Sequence, residues 1–133
     1  MSATQDRNTP FKDGELVPVS VAAATRIYAG TIVVANAAGF AEPGSTATGL
    51  AYLGRADAAV DNSAGADGAA VVLVRRGKVF KFANAAADPV TQASFGRLAY
   101  IVDDQTVAAT NGTNTRSAAG IVLGVDADGV WIQ

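Results

Sequence analysis

The chain has 133 residues, a formal net charge of −2 at neutral pH, no cysteine and no histidine. That length predicts one domain, and 10 basic against 12 acidic residues, scattered along the chain, leave no dense positive stripe of the kind that binds nucleic acid. Without cysteine there is no disulfide, and without histidine both the commonest general base and the commonest transition-metal ligand are missing.

Alanine supplies 29 residues, whereas tryptophan and methionine occur once each. A buried alanine contributes less than the roughly 1.5–3 kcal/mol of a buried valine or leucine. A thin core is therefore expected, held by closely packed sheets or strengthened by assembly. The same excess of Ala, Gly, Asp and Arg is also what a GC-rich genome would encode. The N-terminus, MSATQDRNTPFKDGE, is polar and lacks the apolar stretch of a secretory signal. The longest strictly apolar run, Ala69 to Val74, is far shorter than the ~20 residues of a membrane helix. The expected product is soluble, made in a cytoplasm, and without a membrane partner.

Residues 1–14 read as an extended arm, with Pro10, Gly14, mixed charges and Phe11 as the lone apolar anchor. From Glu15 the pattern turns to period two, with Val17, Val19 and Val21 on one face. Pro18, lacking an N–H, places that strand at a sheet edge. The stretch VAAATRIYAG has helical alanines, but Ile27, Tyr28 and Gly30 oppose a helix. Thr31 to Ala35 predicts a strand, Asn36 to Gly39 a turn, and Phe40-Ala41 the return. EPGSTATG is a loop and LAYLGRA a short strand. Next comes the Asp61 to Gly68 loop, DNSAGADG, then a strand from Ala69 to Arg75. A reversal at Arg76-Gly77 would make a hairpin with KVFKF.

VTQASFG predicts one helical turn, capped by Thr91 and ended by Gly96. RLAYIV, QTVAAT, AGIVLGV and VWIQ are further strands, separated by Asp103-Asp104, NGTNT and Asp126 to Gly129. Trp131 in the last strand is expected in the core. About nine or ten short strands with regular turn signals predict an all-β fold, a small β-barrel or β-sandwich over residues 15–133.

Candidate chemistry is sparse. Asp61, Asn62, Ser63 and Asp67 could offer oxygens to calcium, but position twelve counted from Asp61 is Val72, where an EF-hand needs Glu. An Asx-type turn is the favoured reading of the loop. The close carboxylate pairs, Asp103/Asp104 and Asp126/Asp128, also sit where turns need Asp. No nucleophile elbow or phosphate-binding loop occurs. No catalytic residue, cofactor or metal site is assigned, and an enzyme is not expected. The densest basic cluster, Arg75, Arg76, Lys78 and Lys81, is either a charged contact or a solvated hairpin tip.

The order of segments is itself informative. NTPFKDGELVPVSV, YAGTIVV with AAGFA, VDN before the glycine-rich turn, YIVDDQTVA, and the ending AGIVLGVDADGVWIQ follow one another over nearly the whole chain. In this order they resemble the capsid cement or head decoration family of tailed bacteriophages, in its Mu-like form. The resemblance implies a structural virion protein on the outer surface of the icosahedral head. There it would gather as a homotrimer and clamp neighbouring major capsid protein subunits. It carries over no individual binding residue. The arm segment Arg7, Asn8, Thr9, Pro10, Phe11 and Lys12 is the part expected to order on the capsid, because a lone aromatic in an aperiodic stretch precedes a compact β pattern. The alternative is a virion-displayed β-sandwich that recognises carbohydrate or a host surface, for which only Tyr28, Tyr52, Tyr100 and Trp131 offer aromatic platforms beyond phenylalanine.

Overall fold

Twelve short strands and a single 3-10 turn form the fold in the computed structural model, which describes Met1–Gln133. They are β1 (Leu16–Ser20), β2 (Thr25–Ile27), β3 (Ile32–Ala35), β4 (Ala41–Pro43), β5 (Ala51–Ala56) and β6 (Val60–Asn62), followed by β7 (Val71–Arg75), β8 (Phe80–Asn84), β9 (Leu98–Ile101), β10 (Thr106–Ala108), β11 (Ala118–Asp126) and β12 (Gly129–Ile132). The chain is all-β, as its periodicity implies. The two strands beyond the expected ten are β2 and β6, which pair only with each other.

An open antiparallel sheet takes the order β1-β7-β5-β3-β4, and a closed barrel takes the order β10-β8-β12-β11-β9. Both outer strands of the open sheet are short and contain a proline, Pro18 in β1 and Pro43 in β4. A residue without an N–H is tolerated at such an edge and blunts pairing with another chain. The barrel has no edge to protect.

Two hydrophobic clusters result, and β3 serves both. Ile32 and Val34 belong to the barrel cluster with Phe82, Ile101, Val107, Val122, Val130 and Ile132. Val33 belongs to the sheet cluster with Val21, Ile27, Ala56, Val72 and Val74. Side chains on a strand alternate in direction, so a strand wedged between two cores must be apolar on both faces. Ile32, Val33 and Val34 are all fully inaccessible to solvent.

Three local expectations change. Arg76-Gly77 does not close a hairpin: β7 pairs with β1 and β5, whereas β8 pairs with β12 and β10. The chain bends where glycine permits it, with Gly77 at φ +73°, but then crosses from the sheet to the barrel. A local turn signal fixes the bend without fixing which strands pair. Trp131 is not core. Val130 and Ile132 point into the barrel, so the residue between them points out and is 37% exposed. The turn at Gln92–Ser94 is 3-10, and Thr91 makes no side-chain capping bond, although Gly96 does take a positive φ of +80° beyond it.

Candidate functional site

The arm stands in solvent. Residues 1–16 are all exposed, and Phe11 is 98% exposed. The arm is tied at its base, where the Arg76 backbone N–H donates to the Glu15 carbonyl at 2.8 Å. The Lys78 ammonium donates to the Glu15 carboxylate at 3.3 Å. The start of the arm and the sheet-to-barrel crossover therefore lie together, although some sixty residues separate them in sequence.

A cleft of about 380 Å³ opens beside this junction, between β5 and β11. Its walls include Leu50, Tyr52, Leu53, Phe80, Leu98 and Ile121, with Arg76, Gly77 and Lys78 at the crossover and Gln133 at the C-terminus. Leu98 and Ile121 face each other across β9 and β11 and are 46% and 44% exposed. The Tyr52 hydroxyl is buried and has no hydrogen-bond partner. Burial pushes its pKa up to about 12, against the opposing charge of nearby Arg76.

The four basic residues do not form one patch. The Arg75 Nε donates to Asp57 Oδ1 at 2.9 Å, and Arg55 approaches the same oxygen at 3.7 Å. That hydrogen bond, then the charge of Arg75 and that of Arg55, hold the Asp57 carboxyl below its ordinary value. Lys81 pairs with Asp128 at 3.1 Å and lies 5.5 Å from the centre of the Trp131 ring, on the barrel exterior. Lys78 holds Glu15. Arg76 alone among the four has no carboxylate within ion-pair distance.

The carboxylate-rich stretches are built into turns. Asp61 Oδ1 accepts from the Ser63 backbone N–H at 3.0 Å and from the Ser63 hydroxyl at 2.6 Å. Asn62 donates to the carbonyls of Ala22 and Ala66, and Asp67 accepts from the Ala23 N–H at 2.8 Å. DNSAGADG is thus an Asx-type turn stapled to the β1–β2 connection. Asp103 accepts from the Gln105 N–H, and Asp126 from the Asp128 N–H, each a local turn bond. No three acidic side chains gather as a cation cage.

What this arrangement can do chemically is hold an apolar, extended segment with a negative charge at one end. Sequence reading brought out the arm and Arg76 but not the cleft, whose walls meet only when the sheet packs on the barrel. Gly54 and Gly120 on its walls mark close approaches to neighbours within the sheet and within the barrel, not across the cleft. Cβ atoms there would collide with the carbonyl oxygens of Arg75 and Gln133. Compared with protein-family models, curated proteins and solved structures, the chain matches none.

Proposed function

We propose that the chain is a structural virion protein, a capsid decoration protein that binds the outside of an icosahedral phage head and stabilises contacts between major capsid subunits. The observation that carries this reading is the exposed arm, with Phe11 98% exposed, leaving a closed, well-packed β body. An arm of fourteen residues can reach about 45 Å when extended, enough to cross onto a neighbouring subunit. The segment order set out above supports the same reading.

Mechanically, the body supplies rigidity and the arm supplies reach. If three copies gather, each weak arm contact raises the effective concentration of the others, so a trimer binds far more tightly than one arm does. The test is co-sedimentation with mature phage shells that lack this protein, comparing the full chain with a chain lacking residues 1–14. The expected result is saturable binding by the full chain alone. Equal binding by both would discard the arm as the contact. Binding by neither, at micromolar protein and moderate salt, would overturn the decoration reading.

A further inference from the structure

Phe11 and the cleft between β5 and β11 are each incomplete in a complementary way. The arm carries an aromatic side chain with nothing to cover it, followed two residues later by Asp13, which has no basic partner. The cleft offers apolar walls and an arginine without a carboxylate. Its volume of about 380 Å³ is at the small end of the roughly 300–1,000 Å³ range of ligand sites, suited to one large side chain and its flanking backbone.

We infer that the β5–β11 cleft is a peptide-binding site whose ligand is the chain's own arm, with Phe11 seated against Ile121 and Asp13 paired with Arg76.

The geometry allows this within one chain. The arm is pinned at Glu15, just before β1 begins, and the cleft begins on β5, two strands away in the order β1-β7-β5. Two strand spacings are about 10 Å. Four residues, from Glu15 back to Phe11, span up to about 13 Å when extended. The path runs over Arg76, Gly77 and Lys78, where β7 has ended and no strand blocks the way. Along it Asp13 comes level with Arg76 while Phe11 reaches the apolar wall. In the structure the strap is open. Its closure shields Phe11 in the free protein and leaves the arm available when a better partner competes for it.

The inference concerns the isolated chain, and its test contains no shell, so it stands or falls separately from the decoration reading. Because the chain has no cysteine, Asn8→Cys gives one attachment point for a nitroxide. Amide signals of Leu53, Gly54, Gly120 and Ile121 are then followed in the dilute, uniformly labelled full chain. A tethered but undocked arm also broadens the nearby rim, so the reference is the same label with Phe11→Ala. The expected result is at least twofold stronger broadening with Phe11 present. Arg76→Glu should reduce it to the reference level, and Asp13→Arg added to Arg76→Glu should restore it. Equal broadening with and without Phe11 overturns the inference. So does broadening that appears only when spin-labelled and isotope-labelled chains are mixed, which would assign the cleft to the arm of a second copy.

Discussion

Trp131 sits on the barrel wall because β12 reads Val-Trp-Ile, and alternation gives the inside to the two smaller residues. The indole N–H donates to Asp126 Oδ2 at 2.9 Å, and the ring lies close over Gly124, where a Cβ would crowd it. Trp131→Ala should therefore cost about 1 kcal/mol, mainly lost ring packing and the Lys81 contact. Ile101→Ala, in the barrel core, should cost about 2–5 kcal/mol. Thermal melts of the two variants check the order, and an equal loss would put Trp131 in the core after all. The Asp128 carboxyl, which donates only while it keeps its proton, the indole N–H of Trp131 and the Asp128 backbone N–H together hold Asp126 down at about 2. A depressed carboxyl stabilises the fold above its unfolded value of 3.8, and that support is lost as pH falls through about 2. The fluorescence of Trp131, the only tryptophan, should change with a midpoint near pH 2 and lose this transition in Asp126→Asn. A midpoint at 3.8 or above would show that these donors do not hold Asp126. Asp104 runs the other way: burial, then the charge of Asp103, raises it, so its cost to stability grows as pH rises above 3.8.

Among the elements, those that were legible in the sequence carry their own pattern. β1 shows alternating valines and an edge proline, and β3 shows a continuous apolar run with turn residues behind it. β2 and β6 were hidden because each has three residues and only their mutual pairing makes them strands. Thr-Arg-Ile lies in an alanine-rich stretch, and Val-Asp-Asn looks like the start of a loop. The crossover was misread for a related reason. A strand, an Arg-Gly bend and a second strand look alike whether the halves pair with each other or with remote partners. The cleft inherits this problem, since it exists only where β5 of one sheet meets β11 of the other. Gly54 is the residue on which the pairing of β5 with β7, beside the cleft, can be tested. It takes φ +143°, and a Cβ would strike the Arg75 carbonyl oxygen. Gly39 also has a positive φ, +87°, but open space around it. Gly39→Ala should cost about 1–2 kcal/mol from backbone strain alone. Gly54→Ala should cost clearly more, because β5 and β7 must also separate. Equal losses in chemical denaturation would mean that the strands are not in that close contact.

At the scale of the whole molecule, the question is whether two clusters make two folding units. The barrel closes on itself and has its own core, which would permit independent melting. Against that, Ile32 and Val34 of β3 complete the barrel cluster while Val33 lies in the sheet cluster. The Ile32 N–H also donates to the Asp104 carbonyl at 2.7 Å, and Ser117 bridges Leu50 and Ala47 through its hydroxyl. Pulling β3 away from either side would expose apolar residues to water on the other, at roughly 25 cal/mol per Å². The two clusters should therefore unfold as one cooperative unit. Val72→Ala, in the sheet cluster, and Ile101→Ala, in the barrel cluster, should each lower a single denaturation midpoint. The loss should be about 2 kcal/mol for the valine and at least that for the isoleucine. Trp131 fluorescence reports the barrel, and amide hydrogen exchange at Val72 and Val74 reports the sheet. The two probes should give the same unfolding free energy in both variants, because a substitution in one cluster reaches the other through β3. If Val72→Ala weakens the sheet amides while Trp131 keeps its original midpoint, β3 does not couple the cores, and the barrel is a unit that stands without the sheet.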